Sequence, residues 1–211
     1  MHPVTTLRHA LIDHHLTLLR DRRTPPWLFR QQIRRLAALL AYQATCDLPL
    51  RQLPLDTPVA PTTGSRLDVE IAIVPILRAG LGMVEPVQEL LPEAHVWHLG
   101  MYRDETTATP VEYYCKLPSD ARCEVGLVLD PMLATGGSVL AALETLARWG
   151  CRDLRVLSII ASQPGLERLE REFPQARIYL AAIDPELNPQ KFIVPGLGDA
   201  GDRMFNTLPL E

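Results

Sequence analysis

"LVLDPMLATGGSVLAALETLARWG", residues 127–150, decides how the rest of the chain is read. An apolar run, Leu127-Val128-Leu129, stops at a carboxylate, Asp130. A loop of small residues follows, Thr135-Gly136-Gly137-Ser138, and apolar positions then recur at helical spacing up to Gly150, a natural helix-ending residue. A strand passing through a glycine-rich turn into a helix aims several main-chain N–H groups, and the positive end of the helix dipole, at one point. Thr135 and Ser138 add hydroxyls, and Gly136-Gly137 lets an anion approach the main chain. The stretch is not a G-x-x-x-x-G-K-S/T loop, because it has no lysine, and it is not G-x-G-x-x-G. An acid beside a phosphate cradle makes sense if it holds sugar hydroxyls or a magnesium ion's water shell. The plainer alternative is a strand–turn–helix in which Thr135 or Ser138 only caps the helix.

Working outward, the same grammar repeats. "IAIVPIL" (71–77), "HVWHLGMY" (95–102), "VGLVLD" (125–130), "LRVLSIIA" (154–161) and "RIYLAAI" (177–183) are short apolar runs bounded by turn residues. Helical patterns lie between them, over about 82–91, 137–149 and 164–173, the last opened by Pro164. Strands alternating with helices predict a mostly parallel sheet with helices on both faces. Two helices precede this core, the second capped by Thr24 with Pro25-Pro26 in its first turn, carrying Phe29, Ile33, Leu36 and Leu40, and ended by Leu48-Pro49. Residues 49–66 carry prolines and threonines with no strong period and read as a connection or short irregular strands. Ligands of such sheets bind beyond the carboxyl ends of the strands. "LRAGLG", "YRDETT" and "DPMLATGGS" all fall there.

Bulk properties exclude several classes. At 211 residues, 47% hydrophobic and 22% charged, the chain suits one globular domain. No apolar run reaches membrane-spanning length, and the charged, histidine-containing start is no signal peptide, so a cytoplasmic protein is expected. Net charge −4 gives no overall attraction for nucleic acid. Cys46, Cys115, Cys123 and Cys151 form no C-x-x-C pair, so no zinc site is expected and free thiols are. His14-His15 has no third ligand at helical spacing and reads as surface.

"VLDPMLATGGS" resembles the PRPP (phosphoribosyl diphosphate) signature of type I phosphoribosyltransferases, in the form found in uracil phosphoribosyltransferases, with Pro131 where many relatives have a second acid. "VPILRAGLGM" (74–83), "GMYRDE" (100–105), "PVEYYCKLP" (110–118) and "IVPGLGDAGDR" (193–203) are similar to that family's other motifs, in the same order. The resemblance is nearly continuous from Ile71 to Thr207. It implies the type I phosphoribosyltransferase fold, a Rossmann-like α/β architecture with a flexible active-site loop, here residues 103–118. It divides a single domain, 1–211, into an N-terminal helical and oligomerisation region (1–70), a PRPP-binding core (71–183) and a uracil-binding segment (184–211).

The implied reaction joins uracil and PRPP to give UMP and pyrophosphate in pyrimidine salvage, with Mg2+ carried mainly by the diphosphate and no dedicated protein metal site. The resemblance assigns PRPP to Arg78, Arg103, Asp130, Pro131, Met132, Leu133, Ala134, Thr135, Gly136, Gly137, Ser138 and Asp199. Within that set, residues 134–138 would cradle the 5′-phosphate, Asp130 would hold the ribose 2′- and 3′-hydroxyls, and Arg78 and Arg103 would stabilise the leaving diphosphate. Uracil would meet Phe192, Ile193, Gly198, Asp199 and Ala200, largely through main-chain groups. Arg103, Asp130 and Asp199 are the expected catalytic residues, Asp199 assisting loss of the uracil N1 proton. Expected partners are a second or further copy of the chain, as homodimer or homotetramer, and GTP as an effector.

The chain departs from the family pattern at two places. Lys191-Phe192 stands where Gly-Tyr is usual, which bears on base preference; Gln31, Arg35 and Gln43 replace glutamates in the N-terminal region, which bears on assembly and GTP response. Two alternatives accompany the enzyme reading. One is a PRPP- or nucleotide-sensing regulator that binds RNA through "RDRR" (20–23) and "RQQIRR" (30–35), and the other is a phosphoribosyltransferase for another base.

Overall fold

The structure, a computed structural model, describes residues 4–103, 110–115, 117 and 123–207, with the side chains of 101–103 and 110–115 outside that description. A short strand, β1 (Val4–Thr6), leads into two helices, α1 (Ala10–Arg20) and α2 (Pro26–Ala44), and then a hairpin of β2 (Leu50–Asp56) and β3 (Pro61–Leu67). The core alternates from there: β4 (Ile71–Leu77), α3 (Leu81–Leu90), β5 (His95–Val96), β6 (Leu99–Arg103), β7 (Pro110–Cys115) and β8 (Val125–Leu129). After β8 come β9 (Met132–Leu133), α4 (Gly137–Trp149), β10 (Asp153–Ser162), α5 (Gln163–Glu172) and β11 (Arg177–Asp184). A small antiparallel pair, β12 (Glu186–Leu187) and β13 (Ile193–Val194), precedes the last helix, α6 (Ala200–Phe205).

The main sheet has the order β1-β11-β10-β8-β4-β6-β7, parallel except for the antiparallel edge pair β6–β7. Each central strand feeds two cores in alternation. Ile71, Ile73, Leu127, Leu129, Leu157 and Ile159 pack against α1, α2, α3 and α6 on one face. Ala72, Val74, Ile76, Val128 and Val156 pack against α4 and α5 on the other. Burial on both faces explains why the strands read as continuous apolar runs.

Several expectations need correction. Of the two readings of residues 49–66 the strands hold and the plain connection does not: they form the β2–β3 hairpin, regular in register from Leu50↔Leu67 to Asp56↔Pro61. It is exposed almost throughout, so no buried face imposed an alternation that a sequence could display. Thr24 does not cap α2: its hydroxyl donates to Leu18 O at 2.5 Å, and the helix starts on Pro25 and Pro26 and ends at Ala44. Residues 110–115 of the expected loop form a strand paired with β6, while residues 104–109, 116 and 118–122 lie outside the described residues. His15 is buried, 9% exposed, between α1 and α2.

Cys123 and Cys151 are disulfide-bonded rather than free, and Cys46 is a free, exposed thiol. The cause is the parallel register: Val125 pairs with Asp153, so the residues two positions before each strand are neighbours, with Cα atoms 4.9 Å apart. Cys115 is among the residues whose side chains are not described. Among the described residues no helix is long and apolar enough to cross a membrane.

Candidate active site

The stretch 130–138 runs off the end of β8 and along β10 before entering α4. Pro131 O accepts from the N–H groups of Ile159 and Ile160, both at 3.1 Å, and β9 pairs with β10 at Met132↔Ile160 and Leu133↔Ala161. Two serines of β10 fix the loop's carbonyls: Ser158 Oγ donates to Asp130 O, and Ser162 Oγ donates to Ala134 O at 2.5 Å. Within the loop Met132 N donates to Asp130 Oδ1 at 3.2 Å and Ala134 N to Met132 O at 3.0 Å, so the N–H groups that open toward the cleft are those at the start of α4. Ser162 also caps α5 by accepting from Gly165 N at 3.0 Å.

Here α5 approaches the loop closely. A Cβ on Gly165 would sit 2.0 Å from Ala134 O, so only glycine fits. Gly136 has φ +77 and serves as N-cap of α4, so the capping residue itself brings no side chain to that helix start. The first N–H groups of a thirteen-residue helix, together with its dipole, make this end of α4 electrostatically positive.

One cleft of about 220 Å³ gathers most of the residues singled out in the sequence: Asp130, Met132, Leu133, Ala134, Thr135, Gly136, Gly137, Ser138, Phe192, Ile193 and Asp199. Asp199 also caps α6, its side chain accepting from Asp202 N at 2.9 Å, so its turn-stabilising and cleft-lining roles coexist. Pro131 is buried behind the loop, Ala200 is buried at the start of α6, and Gly198, at φ +78, is exposed; none of the three lines the cleft.

Arg78 is not in the cleft wall either. It pairs with Asp202 at 2.7 Å, approaches Thr207 Oγ1 at 3.4 Å and lies over the Phe205 ring at 5.9 Å. The Thr207 hydroxyl is the main influence holding the Asp202 carboxyl below its ordinary range; burial works against it, and Arg78 reinforces it. Arg103 ends β6, and its side chain lies outside the described residues.

Val139, Gln190 and Lys191 line the cleft without having been named as site residues. Gln190 and Lys191 arrive on the turn between β12 and β13. Lys191 adopts φ +67, which accounts for the family's usual glycine at this position. Its N–H donates to Asn188 O at 2.8 Å, and Phe192 N donates to Asn188 Oδ1 at 2.8 Å. The turn is thus held by main-chain groups and the Asn188 side chain, bonds that a tyrosine hydroxyl at 192 would not alter. One of only two lysines in the chain therefore lines the cleft that the start of α4 faces. Among the described residues, no group of three or more His, Cys, Asp or Glu is placed to hold a metal.

Comparison with known proteins agrees with this geometry. The family model for uracil phosphoribosyltransferase matches residues 6–207. The chain is 52% identical over 207 residues to the uracil phosphoribosyltransferase of Roseiflexus sp. (strain RS-1), covering 98% of this chain and all of that protein. It is 49% identical over 208 residues to that of Symbiobacterium thermophilum, with the same coverage. Its fold matches the solved structure of the AQ2163 protein from Aquifex aeolicus with a TM-score of 0.91, 34% identity, and 96% and 97% of the two chains covered. The motif order, the glycine-rich turn into α4 and these matches agree: the chain belongs to the uracil phosphoribosyltransferase family.

Proposed function

We propose that PRPP binds along residues 130–138 and uracil against residues 192–200, and that the cleft transfers the phosphoribosyl group to the base, giving UMP and pyrophosphate for pyrimidine salvage. The observation that carries this assignment is that Asp130, the glycine-capped start of α4 and the base loop line one cleft. Main-chain N–H groups and hydroxyls of 134–138 hold the 5′-phosphate, and the Asp130 carboxylate accepts from the ribose 2′- and 3′-hydroxyls. As the bond from C1 to the diphosphate lengthens, Arg78 and Arg103 stabilise the negative charge left on the diphosphate. A cation about 4 Å from an anionic oxygen contributes about 4 kcal/mol at an effective dielectric of 20. Arg78 must first exchange its Asp202 partner for that ligand. Asp199, already oriented as the α6 cap, takes up or shares the uracil N1 proton.

The donor set suits a magnesium ion brought in by the diphosphate, because the cleft carries two separate carboxylates, Asp130 and Asp199, rather than a cluster. When bound, the ion neutralises leaving-group charge. The chain works as one domain of a cytoplasmic homo-oligomer. Val59, 94% exposed at the hairpin tip, and Tyr42, 72% exposed on α2, are the apolar groups that a second copy would cover. GTP would act on this N-terminal layer.

The test is UMP formation from labelled uracil, PRPP and magnesium, with Asp130→Asn alongside. Wild-type turnover, with a loss of roughly 10²-fold or more in the variant, is expected. A folded wild type that binds PRPP and makes no UMP overturns the assignment.

A further inference from the structure

Two arginines of the N-terminal helices, Arg20 at the end of α1 and Arg30 on α2, are bound to the C-terminal half of the chain. Arg20, the last residue of α1, grips Asp184 with both guanidinium nitrogens, at 2.6 and 2.8 Å. Its Nη1 also donates to Gly196 O at 2.8 Å. Gly196 N returns a bond to Asp184 Oδ2 at 3.0 Å, so one arginine and one buried aspartate hold both main-chain groups of Gly196. That glycine, at φ +62, is the tightest point of the base loop: a Cβ there would lie 2.1 Å from Ile193 O.

A second tie comes from the other side. Arg203 of α6 donates to Leu197 O at 2.6 Å in the same loop, and to Leu19 O and Asp21 O at the end of α1. Its guanidinium lies 4.3 Å from the centre of the Phe29 ring on α2. Arg30 of α2 closes the set by donating to Met204 O at 2.6 Å. Residues 193–204 are thus fastened to the N-terminal helices by three arginines, whereas the 130–138 loop is held by β10 and α5.

We propose that Arg20 and Arg203 are positioning residues for the base: they set the main-chain geometry of loop 193–198 that reads uracil. Through them the N-terminal helical layer governs the base half of the site and not the PRPP half. This rests on the assignment of that loop to the base, which wild-type UMP formation tests separately. Bidentate arginine–carboxylate pairing fixes direction as well as distance, and lysine cannot reproduce it.

The experiment measures initial rates of UMP formation by the full chain, varying uracil at saturating PRPP and PRPP at saturating uracil, for Arg20→Ala, Arg20→Lys, Asp184→Asn and Arg203→Lys. The expected result is a rise of roughly tenfold or more in the KM for uracil with Arg20→Ala, the size of about one lost main-chain hydrogen bond. The KM for PRPP stays within about twofold, and Arg20→Lys recovers part of the loss. Arg34→Ala, which breaks pairs with Glu85 and Glu89 on α3, leaves both constants unchanged. Should Arg20→Ala fail to fold, Asp184→Asn, which preserves shape, and Arg203→Lys carry the same test. Equal rises in both KM values, or a fall in kcat with neither KM moved, would overturn the proposal, as would a rise confined to PRPP.

Discussion

Gly165→Ala is the sharpest test of how the phosphate loop is held. The added methyl would lie 2.0 Å from Ala134 O, 2.9 Å from the Ala134 carbonyl carbon and 3.0 Å from a Leu133 methyl. Ordinary contact begins near 3.4 Å, so the Ala134 carbonyl must retreat by more than an ångström or α5 must lift. Either movement breaks the 2.5 Å bond from Ser162 Oγ, whose side chain is fully buried and would be left without its acceptor. Overpacking costs about 1–3 kcal/mol, and the orphaned hydroxyl adds about 1–3 kcal/mol. At about 2–4 °C per kcal/mol for a chain of this size, the melting temperature falls by roughly 5–20 °C. The same ångström displaces the N–H groups of 135–138, and a misplacement of that size costs about 10²-fold in rate. Steady-state kinetics should therefore show kcat/KM for PRPP reduced by that order, alongside the lowered melting point. A variant that melts lower yet keeps wild-type kcat/KM for PRPP would refute the claim that this carbonyl's position sets the phosphate site.

Three further outcomes are expected. Lys191→Gly relieves a left-handed lysine, worth about 1 kcal/mol and partly offset by glycine's freedom in the unfolded chain, while removing a cation from the cleft. The melting temperature should hold or rise by up to about 3 °C while the KM for PRPP rises severalfold; a clear loss of stability contradicts it. Burial holds His15 below its ordinary pKa of 6.5, outweighing the Gln32 hydrogen bond, with Arg35 and His14 adding to the lowering. The unfolded chain then binds the proton first, so stability is complete above about pH 6.5 and declines as pH falls toward the lowered folded value. Melting temperatures across pH 7.5 to 5.5 should show this decline, and His15→Leu should flatten it. Asp47 bonds Arg155, a guanidinium only 2% exposed, at 2.7 Å and also pairs with Arg177. Asp47→Asn should destabilise by about 3–5 kcal/mol in denaturant titration, since it leaves a buried cation short of a partner. A change below about 1 kcal/mol would show that Asp153 alone suffices.

The core from 71 to 184 was legible because strands buried on both faces announce themselves as unbroken apolar runs, and because Gly150 stops α4 at φ +102. What escaped notice lacks that signal. β1 is three residues long, the β2–β3 hairpin is exposed almost throughout, and the Cys123–Cys151 bond depends on the register of two strands brought together only by folding. The site divides in the same way. Asp130 and residues 134–138 are contiguous and carry their own pattern, so they could be read directly. Gln190 and Lys191 reach the cleft on a turn whose placement is tertiary. Arg20 and Arg30, read as a surface that could attract RNA, are spent inside the molecule on Asp184, Gly196 and Met204.

The sheet order has a consequence for the chain during its synthesis. Val4–Thr6 pairs with Ile178–Leu180, and the apolar stripe of α2 rests on β10 and β11, more than a hundred residues downstream of Ala44. At translation rates of roughly 5–20 residues per second, α1 and α2 wait on the order of 5–20 seconds for the surface they are built to cover. Throughout that interval Phe29, Ile33, Leu36 and Leu40, all fully buried in the finished protein, lack their eventual neighbours on the sheet. A ribosome paused before Asp153 would hold the nascent chain in this sticky state, making it a natural client for chaperones that shield greasy helices until the last strands emerge.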